Sequence, residues 1–457
     1  MDRDKEKLVL SLLEGKRFGA LIDLLATLLP PDAAELISEL PKEAQAVTFR
    51  LLGKDAAAEV FACLDPGTQE NIIRGMGDTE LSGLIEELFT DDAVDMLEEM
   101  PAGIVSRVLR LATKETRNAI NLIMQYPEDS AAGIMTSEFI VLKENMRVPE
   151  AIDYIRATGA DRETVYVAYA TDAKRRLTGT VDLRDLLFSP EDRTVGEIMD
   201  PSVISVTTLT DREATADVIS KYDLLAVPVV DGESRLVGIV TFDDAIDVIR
   251  DEASEDISIM AGVTPGEKPY LKTGVMRTFA SRIPWLLLMM VSATFTGLIL
   301  THFESALASL VALTAFIPML MDTGGNSGSQ ASVTVIRALS LGEISPKDIP
   351  KVAFKEFRVA ILCGLSLSAA CFLKVFLVDM LILGTEGVTL SVAEVVSLTL
   401  GTTVVCAKLA GAALPLLAKK IGLDPALVAS PAITTVVDIV SLLIYFTFAG
   451  IILRDIT

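Results

Sequence analysis

Between Pro425 and Leu453 the only ionisable side chains are Asp438 and Tyr445. A helix of about 20 apolar residues crosses the hydrocarbon core of a bilayer, so this run fits a membrane span. A carboxylate near mid-helix costs on the order of 2.5–3.5 kcal/mol by insertion scales, and such a group is turned toward a pathway, a partner or water. Thr434, Asp438, Ser441 and Tyr445 recur at intervals of four, three and four, which puts their oxygens on one helical face. We read that face as an oxygen-lined cation site; the alternative is a buried Asp tied to Ser and Thr on a neighbouring helix.

Charge divides the chain in two. Of 63 Asp and Glu and 40 Lys and Arg, 11 acidic and 10 basic residues lie from Ile283 onward, leaving 52 acidic and 30 basic before it. A soluble half this acidic lacks the basic footprint of a nucleic-acid partner. The single His302 and the scattered Cys63, Cys363, Cys371 and Cys406 give no clustered zinc or copper ligands. Oxygen ligands abound and suit Mg²⁺, Ca²⁺ or Mn²⁺. The first residues, MDRDKEKLVLSLLEGK, lack the apolar core of a signal peptide, so the front half is expected in the cytosol. No nucleophile–base constellation marks an enzyme.

Residues 1–130 read as short amphipathic helices, expected to stack into a superhelix. Glu35, Glu59 and Asp95 fall in register at separations of 24 and 36, multiples of 12 residues, about one short helix and its turn. Singly, each acid reads as part of a solvated face. From about Ala131 to residue 250 another repeat takes over. Leu177, Gly179, Val181 and Asp185 recur 59 residues later as Leu236, Gly238, Val240 and Asp244, and Ile134-Met135 as Ile198-Met199. These units resemble a tandem pair of α/β CBS domains, regulatory modules that bind adenine nucleotides such as ATP. Thr241-x-x-Asp244 is similar to the ribose-contacting pattern of that family, whereas the first unit has Asp182-x-x-Asp185.

Residues 251–282 suggest a charged connecting helix, with Glu252, Glu255 and Asp256 on one face. Residues 283–457 suggest a transmembrane domain of five helices, near 283–301, 307–321 and its continuation, 359–383, 392–417 and 425–453. Arg337, Lys347, Lys351, Lys355, Arg358, Lys419 and Lys420 sit in two of the connections, and the other two have no Lys or Arg. The positive-inside rule then places the N-terminus in the cytosol and the C-terminus outside. Gly324, Gly325 and Gly328 permit close backbone approach, with Asn326, Ser327, Ser329 and Gln330 as polar neighbours; tight helix packing alone is the alternative. Lys374, Asp379, Glu394 and Lys408 read as ends that snorkel or pair.

This order of parts, with YPEDSAAGIMT (126–136), EASEDI (252–257), MDTGGNSGSQ (321–330) and the DPAL…SP…TTVVD run of 424–438, resembles the MgtE family of Mg²⁺ channels and transporters along essentially the whole chain. The resemblance implies a multidomain homodimer in a bacterial inner membrane, with one ion path between subunits. It implies pore-region carboxylates at Asp438 and Asp424. It also implies cytosolic regulatory Mg²⁺ sites among Glu59, Asp91, Asp95, Asp211, Glu213, Asp223, Asp244, Asp247, Glu252, Glu255 and Asp256, whose filling closes the path. A carrier for Mn²⁺ or Co²⁺ using the same acids, and a CBS-regulated membrane scaffold, are the competing readings.

Overall fold

In the computed structural model, which describes residues 3–266, 270–304, 307 and 310–453, the twelve-residue period is visible as helix starts. After α1 (Arg3–Glu14) and α2 (Phe18–Leu25) come α3 (Pro30–Glu39), α4 (Lys42–Phe49), α5 (Lys54–Ala62), α6 (Pro66–Gly75), α7 (Asp78–Ile85), α8 (Thr90–Glu98), α9 (Ala102–Leu111) and α10 (Lys114–Ile123). From α3 to α10 each helix begins 12 residues after the last. Pro30 and Pro66 open α3 and α6, where a missing N–H costs nothing. Asp65 caps α6 by accepting from the Thr68 N–H. The aliphatic positions of each repeat, including Ile37, Ile72, Leu81, Val94 and Leu97, are buried in a shared core.

The CBS repeats give two matching three-stranded sheets. The first holds β1 (Ile140–Lys143), β2 (Val167–Thr171) and β3 (Leu177–Asp182), with α11 (Val148–Thr158), α12 (Leu183–Phe188) and α13 (Val195–Ile198). The second holds β4 (Val206–Thr207), β5 (Ala226–Val230) and β6 (Leu236–Thr241), with α14 (Arg212–Tyr222) and α15 (Phe242–Met260). In each sheet the first pair is parallel and the second antiparallel.

The repeats interlock reciprocally. Thr136 exchanges backbone hydrogen bonds with Ile239, and Asp200 does the same with Thr180. A β-carbon at Gly238 would lie 2.5 Å from the sulfur of Met135, and one at Gly179 2.5 Å from that of Met199. Both glycines of the repeat are therefore needed for close approach, each by the methionine preceding the other unit's sheet. The turns also meet: Leu177 N–H donates to Ser234 and Leu236 N–H to Arg175.

Met1–Arg250 and Asp251–Thr457 are two compact units. In the second, α16 (Val275–His302), α17 (Ile317–Ser340), α18 (Ile349–Lys374), α19 (Leu390–Lys420) and α20 (Ser430–Ile452) follow in order. Among the described residues four segments are long and apolar enough to cross a membrane: Val275–His302, Pro346–Ile382, Leu390–Lys420 and Pro425–Ile452. The expected second span, α17, is a 24-residue helix, but its Gly, Ser, Asn and Gln content keeps it out of that set. Residues 305, 306, 308 and 309, at the expected start of that span, lie outside the described residues, as do 454–457.

The connecting helix differs from its expected bounds. α15 starts at Phe242, directly after β6, and stops at Met260, because Gly262 takes a left-handed φ of 67° and Pro265 follows. Arg277 and Arg282 belong to α16. Lys374 and Asp379 pair at 2.8 Å where α18 widens into a π-helical stretch, Val375–Ile382.

Candidate metal sites

The first candidate site lies wholly within the soluble unit. Helix α8 brings Asp91, Asp92 and Asp95 toward acids of the CBS pair. Asp91 is buried, with 8% exposure, and its carboxyl is held well above the usual range by lost solvation, then by Asp244, Asp92 and Glu163. Asp92 is pushed up to about 6 by burial and by Asp244, Asp243 and Glu138. Asp95, exposed at the surface but closely surrounded by the chain, rises to about 7 through lost solvation, then Glu98, Asp92, Asp244 and Glu128. Glu163 rises to about 8 from burial, Asp244 and Asp92, and its Oε2 is buried without a hydrogen-bond partner. Among the described residues none of Asp91, Asp92, Asp95, Glu163 and Asp244 pairs with a Lys or Arg.

Glu138 organises the edge of this cluster. It accepts from the Thr90 N–H and hydroxyl at 3.3 and 2.6 Å, from the Thr136 hydroxyl at 2.8 Å and from the Ser137 N–H at 3.1 Å. Thr90 is the first residue of α8, where a carboxylate meets the positive end of the helix dipole. Nearby, Glu59 and Asp247 act with Asp92 on Cys63, whose thiol is raised first by burial and then by these three charges.

Other sequence candidates have different places. Asp211 caps α14 by accepting from the Glu213 and Ala214 N–H groups at 2.9 and 3.3 Å. Asp223 ends the same helix with φ 52°. Eleven residues of helix put these two about 16 Å apart, too far to share an ion. Neither they nor Glu213 is among the charges that act most strongly on the α8 cluster. Thr241 donates its hydroxyl to Asp244 at 2.5 Å, and Asp244 stands among the α8 acids. At the matching edge of the other repeat, Asp182, Arg184 and Asp185 are exposed.

Sequence reasoning named Asp91, Asp95, Asp244 and Asp247 but missed Asp92, Glu138 and Glu163. Asp92 was legible as the second acid of an Asp-Asp pair opening a helix. Glu138 and Glu163 carry no local signal and join the cluster only through folding.

The soluble acids fit a hard divalent cation by donor chemistry. The carboxyls of Asp91, Asp92, Asp95, Glu163 and Asp244 have no Lys or Arg partner among the described residues, and their pKa values are raised first by burial and then by mutual repulsion, which such an ion would relieve. Among the described residues no three Asp, Glu, His or Cys side chains converge into a ready-made cage. Mg²⁺ does not require one, because it keeps several waters and binds through one or two carboxylates.

In the second unit, α17 packs against α19 and α20 along its glycines. A β-carbon on Gly324 would lie 2.7 Å from Thr403 Cγ2 and 3.0 Å from Val437 Cγ1. One on Gly325 would meet Thr434 Cγ2 at 3.1 Å, and one on Gly328 would meet Ile433 Cγ2 at 2.7 Å. The glycines are thus spacers that bring α17 onto the face of α20 bearing Thr434 and Asp438. On its open side α17 shows Asp322, Asn326, Gln330, Thr334 and Arg337, all exposed. The first four recur at intervals of four and form a polar stripe. Asp322 and Thr334 are members that sequence reasoning passed over. Asp438 is half-buried, Ser441 is fully buried, and Tyr445 is fully buried with its hydroxyl donating to the Leu313 carbonyl at 2.9 Å.

At the end where α19 meets α20, Asp424 caps the short helix Pro425–Val428 by accepting from the Ala426 N–H at 2.8 Å. Asp256 of α15 accepts from the Ser340 hydroxyl at 3.1 Å. Its carboxyl is raised, chiefly by burial and further by Asp424, against the opposing effects of Ser340 and Lys419. The structure therefore brings Asp256 and Asp424 into one electrostatic neighbourhood. Lys408, in mid-α19, is buried with 6% exposure rather than snorkelling.

Comparison with known proteins agrees with this division. A family model described as a divalent cation transporter matches residues 317–448, one described as the MgtE intracellular N domain matches 28–129, and CBS domain models match 131–191 and 195–251. The magnesium transporter MgtE of Thermus thermophilus is 37% identical over 457 residues, covering 98% of this chain and 99% of that protein. That of Bacillus subtilis is 32% identical, covering 97% and 96%. Among solved structures, the cytosolic domain of the Mg²⁺ channel MgtE in complex with ATP is 38% identical over 52% of this chain and 99% of that one, with a TM-score of 0.50. The soluble part of a magnesium transporter is 29% identical over 55% and 99%, with a TM-score of 0.51.

Proposed function

The chain belongs to the MgtE family of magnesium transporters, and from that premise we propose a path for Mg²⁺ between the polar stripe of α17 and Asp438 of α20. The observation that carries this reading is the exposed Asp322, Asn326, Gln330 and Thr334 on a helix packed among membrane spans. Such groups are costly against lipid and line a cavity or water-filled route instead. On this reading α17 is a fifth span, low in hydropathy because it faces water.

Mg²⁺ sheds water reluctantly. Asn326, Gln330 and Thr334 therefore act on its hydration shell, while Asp438 supplies the charge that makes entry favourable. Carboxylates are few along this path, Asp438 with Asp322 at one end of the stripe, which leaves binding weak enough for release. A homodimer in the inner membrane, with N-termini in the cytosol and C-termini outside, would cover the stripe with a second copy and set two Asp438 side chains about one axis. This accords with the basic connections at Arg337–Arg358 and Lys419–Lys420.

We assign the soluble acids to regulation. Mg²⁺ held among Asp91, Asp92, Asp95, Glu163 and Asp244, with Glu59 and Asp247 at the edge, would turn repulsion into cross-links and favour a compact soluble unit in which the path is closed. Glu252, Glu255 and Asp256 are the connecting-helix members of the set, and Asp424 faces Asp256. Asp211, Glu213 and Asp223 stay candidates for separate, weaker sites. The stack of α3–α10 is read as a superhelix. An adenine nucleotide at the CBS pair rests on the ATP complex of the relative, with Thr241 and Asp244 as its candidate ribose contacts. The domains keep the bounds 1–130, 131–250, 251–282 and 283–457 as a division of roles, with α15 and α16 running across the second and third boundaries.

The test is flux into liposomes with Mg²⁺, Mn²⁺, Co²⁺ or Ca²⁺ in turn. Mg²⁺ flux that scales with its gradient supports the reading; flux of Mn²⁺ or Co²⁺ with none of Mg²⁺ favours the alternative carrier.

A further inference from the structure

A threonine hydroxyl in a membrane helix can bond back to the carbonyl four residues earlier. Thr402 does so to Leu398 at 2.9 Å, Thr435 to Pro431 at 3.2 Å and Thr447 to Leu443 at 2.6 Å. Thr399 and Thr403 of α19 and Ser441 of α20 do not. Each is 0% exposed, and each hydroxyl lacks a hydrogen-bond partner among the described residues. Oδ1 of Asp438 is buried and lacks one as well.

The glycine seam sets the heights of these four oxygens. A β-carbon on Gly324 would touch Thr403 and Val437, and one on Gly328 would touch the Ala407 carbonyl and Ile433. One turn along α17 thus moves from Thr403 to Ala407 on α19 and from Val437 to Ile433 on α20. α19 runs alongside α17, and α20 runs against both. Stepping one turn the other way brings Thr399 level with Ser441, while Asp438 directly follows Val437. Three hydroxyls and a carboxylate oxygen therefore occupy adjacent turns of two packed antiparallel helices.

We propose that Thr399, Thr403 and Ser441 form a water-binding layer that fixes the inner oxygen of Asp438 and leaves its other oxygen aimed at the ion. They are positioning residues, and the inference rests on the assignment of Asp438 to the path. A buried water makes about three hydrogen bonds to otherwise unpartnered groups, and the layer offers four. A carboxylate held at one oxygen presents a fixed geometry to a hydrated ion, where a freely rotating one would not.

The test measures Mg²⁺ flux and thermal stability of full-length Thr403→Val, Thr403→Ser, Ser441→Ala and Asp438→Asn. Valine keeps threonine's shape and removes an unpartnered hydroxyl, which on packing grounds leaves the fold as stable or more so. The expected result is flux at least about tenfold lower in Thr403→Val and Ser441→Ala, the scale of a lost hydrogen bond to a charged group. Stability should be retained, and Thr403→Ser should restore flux. Normal flux in Thr403→Val and Ser441→Ala would overturn the inference, as would losses that track falling stability. Normal flux in Asp438→Asn would instead remove the assignment on which it rests.

Discussion

A β-carbon on Gly411 would lie 2.2 Å from the backbone oxygen of Gly328. This is contact between two backbones, in which no flexible side chain can yield. It sets the separation of α17 and α19 and therefore the position of the α17 stripe.

Gly411→Ala should accordingly force the helices apart. Overpacking of this kind costs about 1–3 kcal/mol, so a lower melting temperature and reduced Mg²⁺ flux are expected. Gly297→Ala and Gly450→Ala meet nothing within 4 Å and serve as controls expected to behave as wild type. Equal behaviour of all three variants would show that the seam is not close-packed.

The acidic cluster predicts a pH dependence whose sign is fixed. Asp92, Asp95 and Glu163 sit near 6, 7 and 8, above the unfolded values of about 3.9 for Asp and 4.3 for Glu. Between those limits the folded form binds more protons than the unfolded form, so stability falls as pH rises from about 4 to about 8. In chelator, the soluble half of the full-length protein should resist protease better near pH 5.5 than near pH 8. Mg²⁺ should restore resistance at the higher pH, and KCl should not, because it screens charge without bridging it. Resistance that rises with pH in chelator would contradict the account.

Much of this architecture was legible because it repeats. The twelve-residue register of Glu35, Glu59 and Asp95 matches helices that start every 12 residues, and the recurrence of Gly179 as Gly238 marks two equivalent methionine contacts. Periodicity reports local structure, which is why it succeeded there. It failed at the start of α15, where strand and helix join without a turn signal. Hydropathy leaves α17 out of the candidate spans, because Gly, Ser, Asn and Gln make up much of its length. Two members of the cluster could not be read at all, since Glu138 and Glu163 join it only through tertiary packing.

Glu138 should matter although it was invisible in sequence. Glu138→Ala removes the acceptor for Thr90, Thr136 and Ser137, and each lost charged hydrogen bond is worth about 1.5–3 kcal/mol. Looser anchoring of α8 should raise the Mg²⁺ concentration needed for protease protection, read by titration. An unchanged titration would confine Glu138 to a local role.

Neutralising the cluster should uncouple closure from transport. Asp91→Asn with Asp95→Asn should still conduct but stay open at high internal Mg²⁺, as measured by flux from vesicles loaded at graded concentrations. Retention of closure in the double variant would place the sensor elsewhere.

The most direct test of the proposed path is Mg²⁺ flux through Asp438→Asn in liposomes, beside wild type at equal reconstitution. The substitution keeps size and shape and removes one charge from a segment whose other ionisable side chain is Tyr445. The account predicts that the variant inserts normally and that Mg²⁺ flux is abolished or greatly reduced. Flux near the wild-type rate would contradict it.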